Sequence, residues 1–333
     1  MNDFDFEEER IKKEIIRVAA KRVLLQLPEG LKPEAPNLAQ AIMQANALPI
    51  ISADPCYGAC DIAISEAESL GVDLIVHVGH AEFVRQARVP TIYVEAKAKV
   101  SVDKVVRQAL PLLTDYKKIG IATSVQHLQE LNRINEILIE SGKTVLIGNF
   151  GQLAYAGQVI GCNYSNVVSI APEVEAFLFV GGGLFHGLGV ALSTSKPTVI
   201  ADPYDNKAFS VSEEAKKILS QRWAGIQEAK DAKAFGIFVG LKPGQRRFEQ
   251  ALYVKDLAEK HGRAAYLFAA REITPELILE FPSLDAYVNT ACPRVSLEAP
   301  KKFSKPMLTV NEFMVVVGDI SWESMLKEGL FGN

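Results

Sequence analysis

The sequence predicts an α/β protein of three related domains, each a small four-stranded, mainly parallel sheet with flanking helices, arranged around one central site. Three observations lead to this prediction. Short apolar segments of strand length alternate with longer stretches of helical periodicity. This alternation occurs three times along the 333 residues. In every round a cysteine follows an apolar segment, at the place where open α/β sheets bind their ligands.

The predicted elements come in the same order in each round, and the domains are expected at 1–112, 113–208 and 209–333. The first round has strands at 22–28, 49–55, 73–79 and 91–96, with a helix at about 34–46. The second has strands at 118–124, 144–148, 176–182 and 198–203, with a helix ending near 141. The third has strands at 234–240, 265–270, 285–291 and 307–311, with a helix ending near 260. Such near-continuous apolar strands are typical of parallel sheets buried on both faces.

Composition excludes several classes of protein. A net charge of −4 and a pI near 5.9 give no general affinity for nucleic acid or an anionic membrane surface. The acidic N-terminal segment does not resemble a secretory signal, and no apolar run approaches the roughly 18 residues that span a bilayer. We therefore expect a cytoplasmic protein whose thiols are reduced or metal-bound.

The four cysteines occupy three distant places: Cys56 with Cys60, then Cys162, then Cys292. Each place follows a predicted strand, so three strand ends facing one another would collect three thiolates. Buried cysteines that act as small apolar residues are the alternative. The neighbouring residues are turn formers and small residues, which favours a metal site. Thiolates without neighbouring histidines favour iron–sulfur or zinc, and three ligands leave one metal position open.

Four glycine-rich loops also follow predicted strands, at 28–30, 79–83, 181–187 and 240–245. None has a nucleotide-binding signature, and each alone is an ordinary turn. Together they could hold a polar small molecule through backbone amides. Arg246 and Arg247 begin the next helix and could meet a carboxylate, although a solvated helix face is the simpler interpretation for Arg247.

Seven motifs in order resemble the archaeal-type diphthamide biosynthesis enzyme, a 3-amino-3-carboxypropyl transferase that modifies elongation factor 2. They are LPEGL (27–31), YGACD (57–61), VHVGHAEF (76–83), GGGLFH (181–186), DPY (202–204), GLKPGQ (240–245) and ACPR (291–294). The resemblance covers nearly the whole chain from about residue 22.

The resemblance implies three α/β domains around a central [4Fe-4S] cluster, with Cys60, Cys162 and Cys292 as ligands and Cys56 as a spare thiol. It implies a radical enzyme that cleaves the Cγ–S bond of S-adenosylmethionine and transfers the fragment to imidazole C2 of a histidine, releasing methylthioadenosine. No catalytic protein acid or base is required. The residues expected to contact S-adenosylmethionine are Gly79, His80, Gly181, Gly182, Gly183, His186, Lys242, Gly244 and Gln245.

The expected partners are elongation factor 2, an electron donor and a second copy of the chain in a homodimer. The N-terminal helix or the segment 322–331 could form the dimer contact, or could pack within the chain. A noncatalytic iron–sulfur partner subunit, electron relay or scaffold of the same complex is the alternative function. A zinc or redox-thiol protein is a third possibility.

Overall fold

The computed structural model describes residues 3–84, 88–297 and 303–330. The chain divides into two compact units. The first comprises Met1–Val100 together with Val125–Gln129 and Lys242–Gly244, and the second comprises Ser101–Ser124, Glu130–Leu241 and Gln245–Asn333.

The first unit is built on a parallel four-stranded sheet of order β3-β2-β4-β5. Its elements are β1 (Phe4–Asp5), α1 (Glu8–Arg17), β2 (Arg22–Gln26), α2 (Ala35–Gln44), β3 (Leu48–Ile51), α3 (Ile64–Leu70), β4 (Leu74–Val78), β5 (Thr91–Val94) and β6 (Lys97–Ala98). Every residue of β4 is buried, as expected of a central parallel strand. The amphipathic helices α1 and α2 bury Ile11, Ile15, Leu38 and Ile42 against one face of the sheet.

The second unit contains two more sheets. Its first half has α4 (Asp103–Ala109), β7 (Lys118–Thr123), α5 (Leu131–Glu140), β8 (Thr144–Ile147), α6 (Ser165–Ile170), β9 (Ala176–Val180), α7 (Phe185–Thr194), β10 (Thr198–Asp202) and β11 (Lys207–Ser210). Its second half has α8 (Ser212–Ala229), β12 (Ala234–Gly240), α9 (Phe248–Lys260), β13 (Ala264–Ala270), α10 (Pro275–Leu279), β14 (Ala286–Asn289), α11 (Pro293–Leu297), β15 (Met307–Thr309), α12 (Val310–Val317) and α13 (Trp322–Glu328).

The three sheets share one topology. Their orders are β3-β2-β4-β5, β8-β7-β9-β10 and β13-β12-β14-β15. In each sheet the first strand of the round lies between the second and the third, and the fourth lies beyond the third. The predicted fold class, α/β with several mainly parallel sheets and flanking helices, is confirmed. The second sheet departs from the expected four strands because β11 adds an antiparallel edge to β10. The turn between them has Asn206 at φ 50°, a left-handed conformation that asparagine tolerates.

In each round, a carboxylate just before the third strand accepts hydrogen bonds from the backbone at the start of the first strand. Asp73 accepts hydrogen bonds from the backbone N–H groups of Arg22 and Lys21, both at 2.8 Å. Glu175 does the same for Lys118 and Lys117, and Asp285 for Lys233 and Ala234. These backbone hydrogen bonds lower the pKa of all three carboxyl groups. The same local device therefore joins the first strand to the third in all three rounds.

The two halves of the second unit share one apolar core. Leu192 of α7 belongs to the same group of buried side chains as Phe235, Phe313 and Met325, which come from the second half. A buried ion pair lies in the same unit: Arg222 of α8 donates to Glu312 of α12 and to the carbonyl oxygens of Ser296 and Met307. These contacts fix the helix α11 that follows Cys292.

Across the described ranges, the helices are all too short or too polar to cross a lipid bilayer.

Candidate functional site

The two cysteines of the loop after β3 have different surroundings. Cys56 is only 1% exposed, and its Sγ lies within 4.8 Å of ring nitrogens of His77 and His80. Burial raises the pKa of the Cys56 thiol to about 12, so this group is neutral at ordinary pH. Cys60 is half-buried. Cys60, the more exposed residue of the pair, is the cysteine of the YGACD motif.

The histidines beside Cys56 belong to a hydrogen-bonded chain whose orientation the backbone fixes. Gln26 Nε2 donates to the carbonyl of Asp61 at 2.7 Å, and Gln26 Oε1 accepts from the N–H of Ala63 at 3.1 Å. Gln26 Oε1 also lies 2.9 Å from His77 Nδ1, which must therefore carry the proton. His77 Nε2 is then an acceptor, and His80 Nδ1, at 3.0 Å, donates to it.

This hydrogen-bonded chain leaves His80 Nε2 as an unprotonated nitrogen. A methyl group placed on Gly58 would lie 3.9 Å from His80 Nε2 and 3.8 Å from Cys60 Sγ, so both atoms border the same glycine. Burial lowers the pKa of His80 to about 4. The pKa of His77 is also lowered, mainly by burial and to a smaller extent by the neighbouring His80. Both rings are neutral near pH 7, and His80 presents a lone pair on the Cys60 side of the loop.

The GLKPGQ motif contributes two residues that hold the Cys60 loop. Gly244 N–H donates to the carbonyl of Cys60 at 2.7 Å, and a Cβ at this glycine would come within 2.6 Å of Cys60 Cα. Lys242 Nζ lies 3.0 Å from Asp61 Oδ2 and 3.8 Å from the centre of the Tyr57 ring. Lys242 and Asp61 are both buried. Positions 242 and 244 thus fix the loop that carries Cys60.

The glycines after β4 and β9 have backbone groups that are hydrogen-bonded to other residues of the chain. Gly79, at φ 91°, donates to the carbonyl of Val94 at 2.6 Å and accepts from Gln126 Nε2 at 2.7 Å. Gly181 N–H donates to the carbonyl of Ala201, and Gly183 N–H donates to Asp202 Oδ2 at 2.7 Å. These three amides are already engaged in the fold.

Two further predicted residues have local packing roles. A Cβ at Gly182 would lie 2.9 Å from the ring of Tyr204, so glycine allows that ring to approach. The His186 ring stacks on Phe179 at 6.0 Å between centroids and meets Phe185 edge-on at 5.2 Å. His186 is thus held between two phenylalanines at the start of α7.

A cavity of about 290 Å³ in the second unit brings the other two cysteine loops together. Cys162 lines it, and so do Ala291 and Pro293, the neighbours of Cys292 on either side. Most of the remaining lining is polar: Gln152, Asn163, Arg247, Gln250, Asn289, Thr290, Thr309 and Asn311. Arg247 is exposed, as expected of a solvated helix face, and it also borders this cavity.

The Cys292 loop is braced by Asn289, a residue that the sequence reasoning did not single out. Asn289 Nδ2 donates to the carbonyl of Cys292 at 2.6 Å and to Ser296 Oγ at 3.2 Å, and Asn289 Oδ1 accepts from Ala291 N–H at 2.9 Å. The usable signal was an asparagine at the end of a predicted strand, three residues before a cysteine. In the Cys162 loop, Asn163 Oδ1 accepts from Ser165 N–H at 2.9 Å.

Gln245 lies in the second unit, at the end of the short 3₁₀ turn Pro243–Gln245, and is 8% exposed. A Cβ at Gly240 would lie 2.9 Å from the backbone oxygen of Gln245. Glycine at 240 therefore allows the backbone of Gln245 to lie close to the end of β12.

Each of the three predicted ligands has a thiol, a donor type that suits a metal group. Cys60, Cys162 and Cys292 are each half-buried, so none is sealed inside an apolar core. Hydrogen bonds to the backbone of Cys60 and Cys292 hold both loops in place, as is usual for residues supporting metal ligands. Soft sulfur donors suit iron–sulfur groups and zinc.

Comparisons with known proteins agree with this chemistry. A family model described as "Putative diphthamide synthesis protein" matches residues 27–326. The 2-(3-amino-3-carboxypropyl)histidine synthase of Pyrococcus horikoshii is 39% identical over 310 residues, covering 92% of this chain and 89% of that protein. Subunit 1 of the Schizosaccharomyces pombe synthase is 28% identical over 316 residues, covering 92% and 72%.

A solved structure gives the same result. The crystal structure of Dph2 from Pyrococcus horikoshii with a 4Fe-4S cluster matches with a TM-score of 0.88 and 37% sequence identity, covering 95% of this chain and 92% of that chain. The family match and the 39% identity extend over most of the sequence. The chain therefore belongs to the diphthamide synthesis protein family.

Proposed function

We propose that this protein is a 2-(3-amino-3-carboxypropyl)histidine synthase, which performs the first step of diphthamide biosynthesis. It transfers the 3-amino-3-carboxypropyl group of S-adenosylmethionine to imidazole C2 of a histidine in elongation factor 2 and releases methylthioadenosine. The observation that carries the proposal is the polar cavity bordered by Cys162 and the Cys292 loop, in a chain whose solved relative contains a 4Fe-4S cluster.

The proposed ligands of a [4Fe-4S] cluster are Cys60, Cys162 and Cys292. Cys56 is left out because its thiol is buried against two histidines and its pKa is raised to about 12. When bound and reduced, such a cluster supplies one electron for cleavage of the Cγ–S bond. The chain's own contribution is to hold three thiolates in place, and Gly244 and Asn289 do this for two of the loops.

Contacts with S-adenosylmethionine are proposed for His80, Gly182, His186 and Gln245, and for the loops around Gly79, Gly181, Gly183, Lys242 and Gly244. The amides of Gly79, Gly181 and Gly183 already donate within the fold, so those glycines would act by letting the backbone approach the ligand closely. Lys242 is paired with Asp61 and would act by fixing the Cys60 loop.

The proposed partners are elongation factor 2 and a one-electron donor, both met in the cytoplasm. A homodimer is also proposed. In α13 and the residues after it, Met325 and Leu330 are buried within the second unit, whereas Ile16 of α1 is 68% exposed. Phe331 lies outside the described residues. The α1 surface is therefore the more available of the two expected dimer contacts.

Modification of the protein substrate tests the function. The reconstituted protein is incubated anaerobically with dithionite, S-adenosylmethionine and the cognate elongation factor, and the factor is digested and analysed by mass spectrometry. We expect one histidine-containing peptide to gain a 3-amino-3-carboxypropyl group. A factor that stays unmodified, although the chain retains its iron and is reduced, would instead favour a noncatalytic partner subunit.

A further inference from the structure

The segment 148–157, which follows β8, forms a closed surface loop. The N–H of its last residue donates to the carbonyl of its first at 2.8 Å, so the two ends meet. The buried side chain of Asn166 ties the loop from within: Oδ1 accepts from Phe150 N–H, and Nδ2 donates to the carbonyl of Tyr155, both at 2.9 Å. Compact loops whose ends lie close together are frequently functional. The backbone of the 148–157 loop is therefore fixed in the unbound protein.

This fixed backbone carries two large side chains at the protein surface. Phe150 is 54% exposed and Tyr155 is 42% exposed. Aromatic side chains are the commonest anchors of protein–protein interfaces. A backbone that is already ordered loses little conformational entropy when a partner binds. The loop thus has the two properties expected of a recognition segment for another protein.

The 148–157 loop also borders the cavity of the second unit. Gln152 lines this cavity, and its Oε1 accepts from Nδ2 of Asn163, which lines the cavity next to Cys162, at 3.3 Å. The proposed reaction requires a histidine of the protein substrate to reach the cysteine loops. A polypeptide that delivers a histidine to this cavity brings its flanking residues close to the loop.

The charge of this part of the chain favours a polypeptide over a nucleic acid as the partner. The sequence has no charged residue and no histidine between Lys143 and Glu173. Proteins that stack aromatic side chains on nucleic-acid bases also place cations on the phosphates. The loop and its neighbours in sequence supply no such cation, whereas exposed aromatic and amide side chains suit the apolar and hydrogen-bonding groups of a peptide segment.

We propose that the 148–157 loop docks the segment of the protein substrate that flanks the acceptor histidine, with Phe150 and Tyr155 as its anchors. The inference rests on the proposed function and deepens it, because it names a surface of this chain that meets elongation factor 2. Phe150 and Tyr155 are positioning residues: they hold the protein substrate and leave the binding of S-adenosylmethionine unchanged.

Steady-state kinetics on matched aromatic variants test the inference. The concentration of elongation factor is varied at saturating S-adenosylmethionine, and the modified histidine is measured by mass spectrometry. We expect Phe150→Ala and Tyr155→Ala each to raise the KM for the factor roughly tenfold, as for an interface anchor, with kcat unchanged. Tyr266→Ala is the control, because Tyr266 is a 55% exposed aromatic residue of β13 outside the loop, and its KM should equal that of the unmodified protein.

Two further measurements separate docking from an effect on folding or on the small substrate. Phe150→Tyr keeps the ring and should keep a KM close to that of the unmodified protein. Calorimetric titration of S-adenosylmethionine into the unreduced, reconstituted protein should give the same affinity for Phe150→Ala, Tyr155→Ala and Tyr266→Ala. Weaker binding of S-adenosylmethionine with an unchanged KM for the factor would overturn the inference.

The remaining outcomes distinguish failure of the inference from failure of the function. If the unmodified protein modifies the factor and both loop variants keep its KM, the inference alone is wrong. Dissociation of a dimer by Phe150→Ala in ultracentrifugation, again with an unchanged KM, would assign the loop to a contact between copies of the chain and overturn the inference in the same way. If the unmodified protein, reduced and with its iron retained, leaves the factor unmodified, both the function and the inference are wrong.

Discussion

Cys56 and Cys60 are separated by three residues but differ in how deeply they are buried. The Cys56 thiol is buried, with a pKa raised to about 12 chiefly by desolvation. Cys60 is half-buried, and its carbonyl is held by Gly244. Because a metal ligand must be a thiolate that iron can reach, Cys60 is the proposed ligand of the pair.

Substitution of the two cysteines tests this distinction. Cys60→Ala should lose the iron–sulfur absorption near 400 nm after anaerobic reconstitution, whereas Cys56→Ala should retain most of it. The measurement is iron and sulfide content per chain, together with the visible spectrum. Retention of the cluster by Cys60→Ala and its loss in Cys56→Ala would reverse the assignment.

Gly244 is a position where a single methyl group should disturb the Cys60 loop. A Cβ there would lie 2.6 Å from Cys60 Cα and 2.7 Å from Cys60 Cβ, and both atoms are anchored close to the backbone. We expect Gly244→Ala to lower the free energy of unfolding by about 1–3 kcal/mol and to lower the iron retained per chain.

The control for this variant is Gly225→Ala in α8, where an added Cβ meets nothing within 4 Å. That change should be neutral or should stabilise the protein by up to about 1 kcal/mol, since alanine favours the helix. Thermal melts and iron analysis compare the two variants. Equal iron retention in Gly244→Ala and Gly225→Ala would show that the close approach to Cys60 is unimportant.

The sequence identified the residues of the candidate site more successfully than it identified the residues that they contact in the folded protein. The spacing of Cys56 and Cys60 could not choose between them, because how deeply each cysteine is buried depends on how the folded loop packs. The resemblance made that choice. Lys242 came from a motif, but its partner Asp61 lies far away in sequence, so no local pattern could pair them. Arg247 lines a cavity that exists only after α9 packs beside the cysteine loops.

The elements of the three rounds were predictable because their strands are short apolar runs between turn formers. The strand β11 was missed since Lys207–Ser210 is a short edge segment with exposed ends and little alternation. The carboxylates at positions 73, 175 and 285 were also missed. Positions 73 and 285 begin predicted third strands and position 175 directly precedes one, so aligning the three rounds would have revealed them.

These three carboxylates make stability depend on pH. Their pKa values are lowered in the folded protein by backbone hydrogen bonds, from ordinary values of 3.8 for Asp73 and Asp285 and 4.5 for Glu175. Between the folded and the ordinary pKa values, the unfolded chain therefore binds more protons than the folded protein does. The three carboxylates stabilise the fold fully above about pH 4.5, and this stabilisation is lost as the pH falls through their lower, folded pKa values.

The variant Asp73→Asn/Glu175→Gln/Asp285→Asn should be less stable than the unmodified protein at neutral pH and should lose less stability below about pH 4.5. Thermal melts between neutral and acid pH measure this. The control is Asp231→Asn, which changes an exposed carboxylate and should leave the dependence of the melting temperature on pH unaltered. Parallel curves for the triple variant and the unmodified protein would refute the role of the carboxylates.

The buried pair Arg222–Glu312 is expected to dominate the packing of α8 against α12. Glu312→Gln leaves a buried guanidinium without its counter-charge, and breaking such a pair destabilises a protein by about 3–5 kcal/mol. Urea unfolding measures the change. Glu213→Gln, which breaks the exposed Lys216–Glu213 pair, should have no measurable effect. If Glu312→Gln proves as mild as Glu213→Gln, the buried pair contributes little.

For the whole molecule, the threefold pattern read from the sequence corresponds to three sheets of one strand order. The boundaries 1–112, 113–208 and 209–333 remain predictions. The contacts instead divide the chain into two units, because the second and third rounds share an apolar core that includes Leu192 and Phe235. Local periodicity reports each sheet, but it carries no information about which sheets share side-chain packing.

The nucleoside released shows which bond of S-adenosylmethionine the protein breaks. The reconstituted protein is reduced anaerobically with S-adenosylmethionine and elongation factor 2, and the nucleosides are separated by chromatography. We expect methylthioadenosine to form in step with modified histidine and to be absent with Cys60→Ala. Release of 5′-deoxyadenosine in its place would refute cleavage of the Cγ–S bond.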